Sequence, residues 1–558
     1  MAELLHPGVY VREVSSGVRP IEGVSTSTAA FIGVADKGPV PGTLLPTGRM
    51  ARPVMVTSFT DYLRQFGGFR EDSFLTYAVQ AFFNNGGRRL YIVRVANLVA
   101  PPGVPVARRA QYRLNSPPTS PPEIVDLQID AVNEGQWGNK ITVVLSASSD
   151  RDPNNFKLVV QYDNIPVETY DSITYLTSPT LQAGVDNPAE YGRTVINSRS
   201  EYIAIVADFT TNPTVGIDSP PTSPPQTSII LRLEGGADGN TAVVDYIGSP
   251  APDNTLTGTG LYALDKITDV NLIAIPGQGD AATVSHGMNY CKIERPLQDC
   301  FFIGDMGTMS SVNAARRDDA TPDVYRLQQA IDFATTNTAL DKSVGDYGAL
   351  YFPWVWVTDP IGKGRNPRIL LPPSGFLAGL YARIDNSRGV FKAPAGTEAG
   401  VAGALAAHTT ISDTEQDRLN PIKVNVVRTV PGTGLVVWGT RTIGSDAEWR
   451  YIPVRRIAIF LRVSIYYGIQ WAVFEPNDEP LWASLRLNIR AFMMTQFRAG
   501  AFQGSKPDDA FFVKCDSSTT TQQDIDNGVV NILVGFAPLK PAEFVVLQLQ
   551  QKVNQPAQ

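Results

Sequence analysis

Residues able to do chemistry are sparse in this chain of 558 amino acids. Its three histidines, His6, His286 and His408, form no H-x-x-x-H or H-E-x-x-H pair, so the spacing offers no zinc site. Ser374, in "PPSGF", could in type act as a nucleophile with His286 or His408 as base and an aspartate behind it. A serine beside a glycine is also an ordinary turn element, and no G-x-S-x-G elbow surrounds it. No G-x-x-x-x-G-K-[ST] phosphate loop occurs, and the glycines at 258 and 260 read as a turn. The three cysteines, Cys291, Cys300 and Cys515, cannot build a disulfide framework, and their spacing gives no C-x-x-C pair. They read as ordinary thiols in a reducing compartment. The sequence therefore calls for no catalytic residue, no metal and no cofactor.

Charge recognition is the other chemistry on offer. From Pro421 to Gly500 the chain has ten Lys/Arg against five Asp/Glu, a net of +5 inside a chain of −7. Leu481, Leu485, Ile489, Phe492 and Met493 recur at three- and four-residue spacing, which predicts a helix with one apolar stripe. Arg486, Arg490 and Arg498 fall on another face of it, and Glu475 and Glu479 precede it as suits a helix N-terminus. Exposed arginines are commonly just solvated. A basic stripe in an acidic protein is also a candidate surface for an acidic partner.

The elements that must position these residues follow from local pattern. "TAAFIGVADKG" (28–38) and "RRLYIVRVA" (88–96) read as strands, with helices over "SFTDYLRQF" and "SFLTYAVQAFFNN" between them. "NLIAIPG", "DCFFIGDM" and "GALYFPWVWV" are short apolar runs of the buried-strand type, with helical stretches such as "PDVYRLQQAIDFATT" among them, which suggests βαβ units. Between these α/β regions the texture changes. "EIVDLQIDAV", "KITVVLSAS" and "FKLVVQYD" predict an all-β module, flanked by two identical "SPPTSPP" heptapeptides (116–122 and 219–225). Proline-rich arms of this kind are spacers or docking motifs for a proline-binding partner, and the spacer reading is the simpler. Both chain ends carry strand-like runs without an obvious hairpin partner, "PGVYVREV" (7–14) and "PAEFVVLQLQQKV" (541–553). The mild acidity argues against a general nucleic-acid binder. No secretory signal and no apolar run of membrane-spanning length is visible.

"GLVVWGTRTI", "EWRYIPVRRIAIFLRVSIYYGIQWAVFEPNDEPLW", "LRLNIRAFMMTQFRAGAFQGSKPDDAFFVKCD" and "DIDNGVVNILVGFAPLKPAEFVV" closely resemble the contractile tail sheath proteins of contractile-tailed phages, R-type tailocins and phage-like injection systems. "HPGVYVREV", "EGGADG", "YFPWVWV" and "PPSGFLAGLYARIDNSRGVFKAPAG" match the same family, whereas 100–227 matches least. The resemblance implies an α/β and α+β multidomain protein. Its parts would be an N-terminal strand arm (1–20), a first inner or core part (21–99), an inserted β-rich outer domain (100–260), a middle α/β domain (261–419), a C-terminal inner domain (420–540) and a C-terminal strand arm (541–558). It implies a structural subunit that polymerises helically around an inner tube. The terminal strands would be exchanged between subunits, with Val9, Tyr10, Val11 and Arg12 in one arm and Phe544, Val545, Val546 and Leu547 in the other. Arg486, Arg490 and Arg498 become candidates for the tube contact. The implied partners are further copies, the tube, and baseplate and terminator or cap proteins, without nucleic acid or membrane insertion. Assembly would take place in a bacterial cytoplasm, with the particle released by lysis. The rival readings are an α/β hydrolase-like enzyme built on the central region, and a carbohydrate-binding module at 100–260.

Overall fold

The computed structural model describes residues 20–98, 105–115, 125–152, 155–174, 191–207, 228–253, 257–309, 314–316, 326–363 and 365–544. The "SPPTSPP" repeats, His6, Val9 to Arg12 and Val545 to Leu547 lie outside them. The chain divides into two compact units, one of Thr26–Ile384 with Pro394–Glu448, the other of Met1–Ser25, Asp385–Ala393 and Trp449–Gln558.

The larger unit is organised by an eight-stranded sheet. In spatial order its strands are Val54–Val56, Leu90–Arg94, Ala29–Gly33, Leu272–Ala274, Phe301–Asp305, Gly348–Phe352, Val424–Val430 and Gly434–Trp438. The six inner strands are mutually parallel, and the two edge strands pair antiparallel. Strands buried on both faces need continuous apolar sequence, and "AAFIG", "FFIGD" and "GALYF" are buried at every position. Parallel neighbours need crossovers, which here include the helices Ala281–Asn289 and Leu327–Thr335. The sheet joins strands from three of the parts that the resemblance implies, 21–99, 261–419 and 420–540. The compact C-terminal unit resumes at Trp449 rather than at 420. The pairing of Ala29 with Leu272, across most of the unit's sequence, leaves no local signature.

The helix Ser374–Arg388 packs its first half on the helix Leu75–Asn84 with unusual closeness. A Cβ at Gly375 would meet the Ala78 backbone at 2.7 Å, and one at Gly379 would meet the Phe82 carbonyl oxygen at 2.3 Å. The two glycines are therefore requirements of backbone approach.

Within the same unit, the described residues between 111 and 232 form a β-rich module rather than an all-β one: two sheets share one core with the helix Gly192–Arg199, which contributes Val195 and Ile196. Strands Gln111–Asn115, Val125–Ala131 and Ile203–Ala207 make a three-stranded sheet. Ile141–Ala147, Asn155–Tyr162, Ile165–Thr174 and Ile229–Arg232 make a four-stranded one. Alternate residues of "ITVVLSA" point inward, and Ile129, Trp137, Val143, Phe156, Leu158 and Ile203 meet in the core. Where the chain enters and leaves the module, Ala107–Arg108 pairs antiparallel with Ala237–Asp238, so the two ends are neighbours. The Lys37 ammonium, from the α/β part, sits 4.7 Å from the ring centre of Tyr202 and 5.9 Å from those of Trp137 and Tyr162. Burial among these rings lowers its pKa.

The smaller unit is built on two helices, Ile452–Gly468 and Glu479–Arg498. Ile457, Leu461, Ile489, Phe492 and Met493 meet there with Ile21, Phe502 and Phe511 in one apolar core. The Asp478 carboxylate caps the second helix by accepting the Leu481 N–H at 3.1 Å, and Pro480 occupies its first turn, where no N–H is missed. A two-stranded antiparallel ribbon, Phe511–Lys514 with Leu533–Phe536, completes the unit.

Candidate functional site

Ser374 does not meet a histidine. It begins its helix at the C-terminal end of the Phe301–Asp305 strand, with 0% exposure. Asp305 takes both its hydrogens: the Ser374 N–H donates to Oδ1 at 2.8 Å and the hydroxyl to Oδ2 at 2.7 Å, where the Gly277 N–H also arrives at 3.2 Å. The pair is a buried helix cap, with a carboxylate placed against a helix N-terminus. His408 bonds Thr409 at 3.1 Å, and His286 lies on the separate helix Ala281–Asn289. The serine–histidine pairing floated from sequence is thus corrected: the hydroxyl is spent on Asp305 and sealed from any substrate.

Burial pushes the Asp305 carboxyl up to about 6, against the opposing effect of its three donors. An acid whose folded pKa exceeds its unfolded value binds its proton preferentially in the folded state. The stabilisation from this proton is therefore gained as pH falls from about 6 toward 4, and is absent above it. It amounts to roughly 3 kcal/mol at most. The difference in unfolding free energy between wild type and Asp305→Asn is expected to change across that window in urea titrations at stepped pH. A flat difference would refute the assignment.

The cysteines are inert. Cys291 and Cys300 are fully buried with thiol pKa values pushed upward by desolvation, and burial raises Cys515 to about 11. Among the described residues, no group of three or more His, Cys, Asp or Glu is placed to hold a metal ion, and no helix is long and apolar enough to cross a membrane.

The arginines of the Glu479–Arg498 helix sit where the stripe argument put them, away from its apolar face, but two are already engaged. Arg486 donates to Glu479 at 2.9 Å and to the Cys515 carbonyl. Arg490 donates to Asp508 at 2.9 Å and lies 5.8 Å from the Phe511 ring centre. Arg498 is exposed and makes no ion pair among the described residues. The net of +5 counted along the sequence is not a surface charge. Arg455 and Arg456 are buried within the Ile452–Gly468 helix, and Arg456 forms a two-pronged ion pair with Asp385, one arm at 2.8 Å, with both side chains less than 5% exposed. Sequence reasoning missed this pair because Asp385 stands 71 residues upstream.

The ribbon is the other surface of note. Among the described residues neither of its strands pairs with a third strand. Phe512 lies opposite Gly535 and is exposed, as is Leu533. Phe544, at the end of the described chain, is 75% exposed and outside any strand.

Comparison with known proteins matches residues 245–443 to the phage tail sheath protein central domain and residues 444–552 to the phage tail sheath C-terminal domain. A "Putative prophage major tail sheath protein" of Pseudomonas aeruginosa is 26% identical over 174 residues, 31% of this chain and 44% of that one. A "Tail sheath protein" of Vibrio phage KVP40 is 27% identical over 180 residues, 32% of this chain and 26% of that one. The chain thus spans less than half the length of these curated relatives. Among solved structures, the contracted helical sheath of the anti-feeding prophage matches over 99% of this chain and 100% of its own, at 20% identity and TM-score 0.53. A sheath tail protein from Listeria innocua matches over 93% of this chain and 96% of its own, at 13% identity and TM-score 0.54. The fold, a mixed α/β one with several sheets, is shared with these sheath structures. With the two family domains together covering more than half of its length, the chain belongs to the contractile tail sheath protein family.

Proposed function

We propose that this chain is the structural subunit of a contractile sheath. Identical copies stack helically around an inner tube, joined by exchange of terminal strands. They pass from a metastable extended state to a shorter, wider one that drives the tube into a target envelope. Baseplate and terminator proteins would bound the assembly at its ends, and it would form in a bacterial cytoplasm as part of a phage tail or phage-like particle. Energy is stored in assembly, and the central domain serves as scaffold rather than enzyme.

The observation that carries this reading, beyond family membership, is the ribbon Phe511–Lys514 with Leu533–Phe536, whose two outer edges, joined by no third strand among the described residues, suit the addition of one strand each. The arms holding Val9 to Arg12 and Phe544 to Leu547 are the strands proposed to fill those edges in neighbouring copies. Heterologous, non-closing contacts of this kind generate helical tubes. The tube-facing role proposed for Arg486, Arg490 and Arg498 would use weak, salt-screened pairs, which suits a contact that must be released on contraction.

Negative-stain electron microscopy of the purified chain, alone and with its inner tube protein, tests the proposal. Hollow striated cylinders are expected. Persistent monomers under both conditions would sink it. Arg486→Glu with Arg490→Glu should reduce cylinder formation on the tube and flatten its dependence on salt. Unchanged co-assembly at every ionic strength would remove these arginines from the contact.

A further inference from the structure

At the base of the β-rich module, beside the clasp through which the chain enters and leaves it, lies a cleft of about 430 Å³. Leu98, Arg109, Gln111, Asp130, Glu134 and Glu234 are among the residues that line it. A cleft of this volume suits a small organic molecule. Its walls are held by main-chain bonds. Gln111 and Glu234 exchange N–H to carbonyl bonds at 2.8 and 3.0 Å. The Glu134 carbonyl accepts the Arg94 guanidinium at 2.9 Å and the Trp137 indole N–H at 3.1 Å. Gln111 and Asp130 stand opposite each other on neighbouring strands.

The cleft carries polar groups that the chain itself leaves unsatisfied. Asp130 and Glu134 are each only 6% exposed. Arg109 pairs with Glu134 Oε1 at 2.7 Å and donates to the Leu44 carbonyl at 2.6 Å. The Arg109 Nε–H and Glu134 Oε2 are nevertheless buried without a hydrogen-bond partner among the described residues. Asp130 accepts the Gln128 amide at Oδ1, at 2.7 Å, and its Oδ2 accepts no bond among the described residues. Burial raises the pKa of this carboxyl, against the opposing effects of Gln128, Arg109 and Arg113. A buried donor or acceptor left unpaired costs more than a typical hydrogen bond returns, so each of these atoms gains from a ligand that completes it.

An unpaired donor among unpaired acceptors selects the ligand chemistry. An ammonium donates to carboxylates but accepts nothing from Arg109, and a phosphate or carboxylate accepts from Arg109 but meets like charge at Asp130 and Glu134. A hydroxyl does both at once. We propose that this cleft binds a neutral, monosaccharide-sized polyol. Asp130 and Glu134 accept its hydroxyls, Arg109 donates to them, and Leu98 meets its carbon face. The carbohydrate-binding reading of 100–260 thereby acquires a definite location and named residues. The inference does not rest on the sheath reading and is compatible with it, since the cleft lies in the larger unit, apart from the ribbon and the basic helix.

The test uses the full chain with the methyl glycosides of glucose, galactose and N-acetylglucosamine, followed by saturation-transfer NMR and titration calorimetry. Wild type is expected to bind at least one of them. Asp130→Asn keeps the side-chain shape and an oxygen for Gln128, but turns the free acceptor into a donor. It should weaken binding about tenfold or more, the scale of one hydrogen bond to a charged group, with the melting temperature unchanged. Gln111→Ala trims the rim from a partly exposed strand position and should weaken binding in the same direction, which keeps the test open if Asp130→Asn folds poorly. Equal affinity of wild type and both variants would overturn this cleft as the site. Binding of none of the three glycosides would overturn the proposal and leave the cleft to water. Binding of 1,4-diaminobutane in their place would overturn hydroxyl recognition in favour of a cation site.

Discussion

A chain ending at Phe544 is expected to remain a folded monomer and to form no sheath. The cut removes Val545, Val546 and Leu547 but keeps Glu543, whose carboxylate accepts the Tyr451 hydroxyl at 3.2 Å, and Phe544 itself. The smaller unit's core of Ile457, Leu461, Ile489, Phe492 and Phe511 lies upstream of the cut. The proposed junctions lose everything. Each added strand would contribute a handful of main-chain hydrogen bonds worth about 0.5–1.5 kcal/mol net apiece. Several kcal/mol per junction corresponds to roughly a thousandfold or more in the concentration needed to polymerise. Sedimentation velocity should find a compact monomer, and electron microscopy should find no cylinders. Sheaths of ordinary length from this truncation would refute the exchange of C-terminal strands.

Removing the Arg456 guanidinium is expected to destabilise the smaller unit by about 3 kcal/mol, because Arg456→Ala takes a two-pronged cationic partner from the buried Asp385 carboxylate. The asymmetry matters more than the pair. Replacing both residues by apolar ones of similar volume, Arg456→Met with Asp385→Leu, should recover most of the loss, since two desolvation penalties vanish together. Urea unfolding of the single and double variants checks this. A single variant within about 1 kcal/mol of wild type would mean that water reaches the pair.

The sequence was most informative where local pattern and burial coincide. Leu481, Leu485, Ile489, Phe492 and Met493 lie buried on one side of a helix whose bounds, Glu479–Arg498, match the periodicity. "ITVVLSA" and "GALYF" became strands of the two kinds that their alternation and continuity imply. What stayed hidden depends on residues distant in sequence. The pairing of Ala29 with both Leu90 and Leu272, the Asp305 that claims Ser374, and the Asp385 that neutralises Arg456 are matters of tertiary topology. The exposure of Phe474 stayed hidden for the opposite reason. An aromatic inside "WAVFEP" resembles core, and only the folded loop turns it outward.

The short pairing of Ala107–Arg108 with Ala237–Asp238 bears on how such a chain can change over evolutionary time. To the eight-stranded sheet, everything between those two dipeptides is a closed excursion whose ends are already clasped. The excursion has its own core, so much of it can lengthen, shrink or be exchanged, provided that the Lys37 contacts with Trp137, Tyr162 and Tyr202 and the Arg94 hydrogen bond to the Glu134 carbonyl are replaced. A short turn joining Arg108 to Ala237 would close the same clasp. The position is a natural graft point, where lineages can vary the module, or an engineer can mount cargo, while the eight-stranded sheet keeps its strand order.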